Sequence, residues 1–496
     1  MGKNHIIFQN NKLWIALVFF VLAGVVFVLL STRFGAFLGD DSYYYIEAAR
    51  AALQGNGFNP SPFFAPLLPA VLVLLGWLGV EPVIAIRYLH AFLFGFSILL
   101  TWIIAKQADI SDLFAGLVAL LVLLSDVLLE MYGNAMSEAL YMTFLLAAVL
   151  LLAYYLKRPT YLRLVFAAVT IALACLTRYA ALAAVPALVI GILIYDDSRP
   201  FLSRVWRSCI YSAISLIPLG VYLMRNIRVS GLATRYVSFE IPPLTVTRLT
   251  WYLYNTLSWF IPGRLIRGRE ILAAILCVIL LTAAIVVYLK IRPKTSNQSG
   301  KLPAVITIWI VFIVVNFLML LLAGGLIGLV ADNSRYLAPI LWAIFIIIGY
   351  FLDRMWKTGN RLLLYAIPVF CLVFVVYYGV RTYDYLSNTY QNGLGYYNHS
   401  WHNSETVAYL KDNPDIRVVS TGEMGIYFWT GKRPALITDF GGVAGLRQYL
   451  CQTGEYLLIM NQMPTEIYHM DQAEVVQGLN LVRTFNDSSM YQCLTP

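Results

Sequence analysis

Two adjacent carboxylates, Asp40 and Asp41, follow the first long apolar run of the chain, and Glu138 stands at the head of a later one. A carboxylate at the edge of a membrane can take or direct the proton of a hydroxyl or amine, which makes that group a better nucleophile. Asp41 also suits the N-cap of a helix beginning near Tyr43, and capping accounts for one acid. It leaves the other without a role at a boundary where unpaired carboxylates are costly. Asp126 and Glu130 are four residues apart and share a face if the stretch is helical. They read as an aspartate paired with an arginine and a solvated loop acid. Glu138 differs, because it begins an apolar run and faces the bundle that the run joins.

Arginines supply the complementary charge. Arg178 interrupts two apolar runs, LVFAAVTIALACLT and YAALAAVPALVIGIL, with no other charge beside it. A buried guanidinium needs an anion, either one of the acids or a phosphate of a substrate. Residues 225–270 hold seven arginines and no lysine, interleaved with Trp251, Tyr252, Tyr254, Trp259 and Phe260. Planar guanidinium forks beside aromatic rings suit phosphate next to sugar or lipid, with Arg225, Arg228, Arg264 and Arg267 as candidates. Arg335 and Tyr336 sit at the mouth of a later span, where an arginine commonly snorkels. Tyr43, Tyr44 and Glu47, on the surface segment after the acids, complete a candidate substrate-binding set with Tyr336.

The elements that position these residues are hydrophobic. With 60% hydrophobic and 12% charged residues in 496, the chain is no ordinary soluble domain. Eleven apolar runs have the length or near-length of a membrane span, at about 13–30, 83–104, 113–129, 137–156, 164–177, 179–195, 208–224, 271–289, 304–323, 337–352 and 362–380. The expected fold is therefore a multi-spanning α-helical membrane protein of about eleven transmembrane helices. The first run lacks a small-x-small cleavage site and reads as an anchor rather than a signal peptide.

Lysine and arginine collect in alternate loops, such as Lys157, Arg158 and Arg163, and again Arg354, Lys357 and Arg361. This bias predicts a cytoplasmic N-terminus in a plasma or inner membrane, with the first loop, 31–82, and everything after 380 facing outward. The arginine-rich loop at 225–270 runs against the bias, as longer translocated loops can. The net charge of +9 lies dispersed over cytoplasmic loops without a recognition motif, which argues against nucleic acid.

Within the first loop, Tyr45, Ala48, Ala49 and Ala52 form the apolar face of a surface helix, with Glu47 and Arg50 opposite. Pro66 and Pro69 make 63–78 an interfacial or re-entrant segment. The expected domains are a polytopic catalytic part, 1–380, and an extracytoplasmic α/β domain, 381–496. Strands are predicted in the second at IRVVST, PALIT, EYLLIM, LNLVRTF and SMYQCL. It carries no catalytic motif. Cys451 and Cys493 both fall there, where an oxidising compartment permits a bond that sequence alone leaves open. His399 and His402 lack further ligands nearby, which disfavours zinc.

The chain resembles the integral membrane glycosyltransferases of GT-C fold, in the group of protein O-mannosyltransferases and lipid A aminoarabinose transferases. The resemblance rests on LGDDSYYYIEAARAALQGNGF with the following FFAPLLPA, on MSEALYMTFLLAAVLLL, on ALACLTRYAAL and on NSRYLAP. It implies inverting transfer of a sugar from a polyprenyl-phosphate donor to a lipid, glycan or protein acceptor on the outer face. It also implies that Asp40 or Asp41 acts as base or orients the acceptor, and that Glu138 matches a second acidic position. Many members have Asp-Glu where this chain has Asp-Asp, so which carboxylate is the key one stays open. The phosphate of the leaving group would be held by outer arginines. The resemblance requires no nucleotide, and it leaves room for a divalent metal, Mg or Mn, on outer-loop carboxylates. The rival reading is a transporter or flippase of lipid-linked sugars, against which no internal repeat is found.

Overall fold

The computed structural model describes residues 11–197, 199–234, 246–262, 265, 271–272, 274–276, 278–279, 282, 302–326 and 334–493. The chain divides into two compact units. One holds the chain up to Leu30 together with Ala48–Leu386, and the other holds Ser31–Glu47 together with the chain from Ser387 onward.

The first unit is helical. Its helices are α1 (Asn11–Ser31), the end of α2 (Asp40–Leu53), α3 (Leu67–Trp77), α4 (Pro82–Gln107), α5 (Asp112–Leu123), α6 (Asp126–Gly133), α7 (Glu138–Lys157), α8 (Tyr161–Thr177), α9 (Ala184–Tyr195), α10 (Phe201–Ser230), α11 (Val246–Ser258), α12 (Ala304–Leu326), α13 (Ala338–Lys357) and most of α14 (Arg361–Asn392). Among the described residues, seven helices are long and apolar enough to cross a membrane: α1, α4, α7, α10, α12, α13 and α14. These match seven of the eleven expected runs. The run at 113–129 is instead a pair, α5 and α6, bent by 54°. Ser125 causes the break, because its hydroxyl accepts from Leu128 N at 3.3 Å and caps a new helix. The runs at 164–177 and 179–195 are helices shorter than a full span. The run at 271–289 lies largely outside the described residues.

Local chemistry sets the helix ends. Glu81 caps α4 by accepting from Val83 N at 2.7 Å and Ile84 N at 3.2 Å, with Pro82 at the first helical position. Its other oxygen pairs with Arg50 at 2.6 Å. Arg178 ends α8 in an extended conformation, φ −156° and ψ 129°, and a short 3₁₀ turn, Tyr179–Ala183, leads into α9. That kink is why two apolar runs adjoin without forming one helix. In the first loop α2 begins at Asp40, three residues ahead of the expected start, and Tyr45, Ala48 and Ala49 are buried on its apolar side. The Pro-punctuated segment gives the 11-residue α3, too short to span.

Helix α7 is the most buried of the seven spans and packs against α4 and α8, which puts its first turn inside the bundle. Small residues allow close crossing elsewhere. A Cβ on Gly95 of α4 would lie 2.7 Å from the Val21 carbonyl of α1, so only glycine fits that contact.

The second unit contains a five-stranded sheet in the order β2-β1-β3-β5-β4, formed by β1 (Val418–Ser420), β2 (Ala435–Leu436), β3 (Tyr456–Met460), β4 (Leu479–Thr484) and β5 (Ser488–Cys493). β1 runs parallel to β2 and β3, while β5 is antiparallel to β3 and β4. Val419, Leu457 and Ile459 from the strands bury against Leu446 and Leu450 of a helix, Val443–Thr453, to form the core. A disulfide joins Cys451 of that helix to Cys493 of β5. Two other helices matter here: α15 (His399–His402) and α17 (Glu423–Thr430), with α16 (Glu405–Asp412) between them.

Candidate active site

The first unit gathers charge at the start of α7. Glu138 occupies the first position of that helix and is only 2% exposed. Arg178, projected by the kink after α8, places Nη1 3.1 Å from Glu138 Oε1 and donates to Ser137 Oγ at 3.2 Å. Arg335, from the 3₁₀ turn Ser334–Tyr336, brings Nε to 3.8 Å from the same carboxylate oxygen. Its other nitrogens reach Met136 Sδ at 3.0 Å and the Tyr336 hydroxyl at 3.2 Å. Both guanidiniums lie near the Tyr336 ring, at 5.3 Å for Arg178 and 5.1 Å for Arg335. Tyr141, one turn into α7, is buried with its hydroxyl unpartnered among the described residues. Two guanidiniums therefore converge on one buried carboxylate, where an ion without a counter-charge would be expensive.

A second, half-buried pair has a different character. Asp126 opens α6 and accepts from Arg381 Nη2 at 2.8 Å and Nε at 3.0 Å. Arg381 Nη1 also donates to the carbonyls of Ser258 and Trp259, both at 3.0 Å, and to the Tyr377 hydroxyl at 2.9 Å. That guanidinium is satisfied on all sides, so the pair acts as a strut. Asp126 has the arginine partner expected of it; Arg381 itself, in a helix that runs past residue 380, gave no sequence signal.

Of the remaining candidate arginines, Arg225 and Arg228 form no ion pair with Glu138. Arg225 bonds Asn226 Oδ1 at 3.1 Å and Asn59 Oδ1, and Arg228 is exposed near the end of α10. Arg264 and Arg267 lie outside the described residues.

The second unit holds the other acids. Asp40 is exposed, Asp41 half-buried, and both stand in the first turn of α2. The Tyr396 hydroxyl donates to Asp40 Oδ1 at 2.5 Å. Glu47 accepts from the Tyr427 hydroxyl, whose ring meets Tyr43 edge-on at 4.8 Å, and Arg433 lies 4.8 Å from the Tyr43 ring. Tyr44 packs edge-on against Tyr43 at 5.3 Å. Burial and the charge of Glu47 push the Tyr43 hydroxyl up, against the pull of Arg433. Glu423, buried at the head of α17, is raised above the ordinary carboxylate value by burial; Asp40 and Asp439 add to this, while its own backbone hydrogen bond and Arg433 oppose it. Tyr396, Glu423, Tyr427 and Arg433 were not legible as site residues. The one local hint at Tyr396 is the glycine pair in NGLGYY just before it.

Among the described residues no three His, Cys, Asp or Glu side chains converge as metal ligands. These residues therefore do not assemble a donor set for a divalent ion.

The family model described as dolichyl-phosphate-mannose-protein mannosyltransferase matches residues 76–229. No sequence among curated proteins matches the chain. Among solved structures, apo ArnT from Cupriavidus metallidurans aligns over 96% of this chain and 97% of its own, at 12% identity and a TM-score of 0.60. The same protein bound to undecaprenyl phosphate aligns over 97% and 98%, at 12% identity and a TM-score of 0.58. An Archaeoglobus fulgidus oligosaccharyltransferase tethered to an acceptor peptide with an NVT sequon aligns over 99% of this chain and 75% of its own, at 14% identity and a TM-score of 0.57. The chain has the GT-C fold. In this GT-C chain the segments LGDDSYYY, MSEALY, LTRY and NSRYLAP all fall within the aligned 96–99% of the sequence. Glu138, Arg178, Arg335 and Tyr336, from three of those four segments, form one cluster.

Proposed function

We propose that the chain is a membrane glycosyltransferase that moves a sugar from a polyprenyl-phosphate donor to a lipid, glycan or protein acceptor on the extracytoplasmic face. The observation that carries this reading is the convergence of Arg178 and Arg335 on the buried Glu138 carboxylate and the Tyr336 ring. A phosphodiester donor brings one negative charge. As the bond between the anomeric carbon and phosphate oxygen breaks, the departing lipid phosphate gains a second. Arg178 and Arg335 stabilise that developing charge, which is worth most where water is excluded. Glu138 is engaged by both guanidiniums, and its role in this reading is to hold them in place.

The acceptor's oxygen or nitrogen attacks the anomeric carbon from the face opposite the leaving phosphate, so the configuration inverts. Its proton passes to a first-loop carboxylate, Asp40 or Asp41. Tyr43, Tyr44, Glu47 and Tyr336 offer aromatic and polar surface for the sugar and acceptor, and Arg225, Arg228, Arg264 and Arg267 are the remaining proposed phosphate contacts. The solved relatives support the substrate classes, since ArnT was captured with undecaprenyl phosphate and the oligosaccharyltransferase with an acceptor peptide. They give the transporter alternative no comparable support. The Cys451–Cys493 disulfide supports an oxidising, extracytoplasmic setting for the second unit, as the loop charges do with the N-terminus inside.

The test is transfer by the purified protein. Radiolabelled polyprenyl-phosphate hexoses and pentoses are offered with a membrane extract as acceptor. Label in a new, non-donor product supports the reading and identifies the acceptor class. Folded protein that binds donor and transfers from none of them overturns it.

A further inference from the structure

The two first-loop aspartates are alike in sequence, and the structure separates them. We infer that Tyr396, carried by the segment after α14, is a positioning residue for Asp40, the carboxylate it holds for the reaction. The inference rests on the transferase reading above.

Three observations converge on it. The Tyr396 hydroxyl donates to Asp40 Oδ1 at 2.5 Å, a short bond of the charge-assisted kind. Tyr396 is itself held at every point. Its backbone N–H donates to the Leu38 carbonyl at 2.9 Å, its carbonyl accepts from Trp429 Nε1 at 2.8 Å, and its ring packs against Trp401 at 5.7 Å and Phe428 at 5.8 Å. Lastly, the approach of the two strands of chain is built in. Gly395 adopts φ +63° and bridges to Leu38, and a Cβ there would stand 2.1 Å from the Leu38 carbonyl. Only glycine brings the residue before Tyr396 that close to the chain two residues before Asp40.

The chemistry follows from the inventory of lone pairs. A carboxylate free to rotate presents either oxygen in any direction. A phenol fixed on Oδ1 stops that rotation and leaves Oδ2 to face the acceptor's proton. Burial and the neighbouring Asp40 both push the Tyr396 hydroxyl up, so it stays a neutral donor. The arrangement pairs a buried, immobile donor with an exposed carboxylate, which is what an open reaction centre with a rigid support requires. An N-cap role needs no such donor.

The experiment compares wild type, Tyr396→Phe, Asp40→Asn and the double variant, as full-length protein, in the transfer assay. Tyr396→Phe keeps the ring and its packing. The expected result is an unchanged melting temperature, an unchanged donor KM and a kcat lowered roughly tenfold or more, the usual scale for a lost hydrogen bond to a charged group. The double variant should be no slower than Asp40→Asn alone, because both changes remove one function. If Asp40→Asn abolishes transfer while Tyr396→Phe runs at the wild-type kcat, the inference fails and the transferase reading survives. A loss of activity that only tracks a loss of folded protein also overturns it, since that is the behaviour of a strut. If Asp40→Asn transfers at the wild-type rate, or wild type transfers nothing, the inference falls with its premise.

Discussion

Arg178 Nη1 lies 3.1 Å from Glu138 Oε1, an ion pair whose acid is 2% exposed and whose base ends a helix in extended conformation. Removing one partner of a buried pair strands the other, and the penalty is larger than the pair's net worth. Arg178→Ala should therefore destabilise the folded protein by about 3–5 kcal/mol. Arg335 still neutralises Glu138 in part, which argues for the lower end. Thermal unfolding in detergent checks the stability. The donor KM measured on the surviving folded protein should rise, whereas an unchanged KM would remove Arg178 from the phosphate site.

The Asp126–Arg381 pair should behave differently. Arg381 keeps its bonds to the carbonyls of Ser258 and Trp259 when Asp126 is lost. Asp126→Asn is expected to cost about 2 kcal/mol of stability. Neither kcat nor donor KM of the folded protein should change. A drop in kcat at constant folded fraction would show that this pair belongs to the reacting centre.

The buried Glu423 gives a pH signature. Its carboxyl is raised above the ordinary 4.5, chiefly by burial, so the folded state holds that proton more tightly than the unfolded chain. The folded protein then pays for an ionised buried acid at neutral pH, and the cost is relieved as pH falls through the folded value toward 4.5. Glu423→Gln should accordingly raise the melting temperature near pH 7. The advantage should shrink on acidification and vanish where both forms are protonated. Melting curves of the two proteins from pH 4 to pH 8 decide it.

The Cys451–Cys493 bond closes a loop with a sequence separation of 42. On chain entropy alone its loss costs about 4 kcal/mol. Cys451→Ser with Cys493→Ser should make residues 387–493 protease-sensitive at temperatures where the wild type resists cleavage. Equal resistance would mean that the sheet is stable without the bond.

How much of this was legible depends on the range of the contact. Glu138 and Arg178 stood out because a charge inside an apolar run must find a partner. That they meet each other, with Arg335 added, required the helix packing. The five strands were readable from alternation and β-branched content, down to the run EYLLIM that becomes β3. The break between α5 and α6 was hidden, because 113–129 reads as one apolar run and a serine cap inside it carries no hydropathy signal. Tyr396 was invisible for another reason. Its bond to Asp40 spans 356 residues of chain, and no local pattern encodes a partner that far away.

Sugar transfer by this protein should depend on a first-loop aspartate. The most direct measurement is single-turnover transfer from a labelled polyprenyl-phosphate sugar by wild type and by the Asp40→Asn/Asp41→Asn double variant, with donor binding followed in parallel. The variant should keep wild-type donor affinity and lose transfer rate by roughly a hundredfold or more, the scale of a lost general base. A double variant that transfers at the wild-type rate would contradict that dependence.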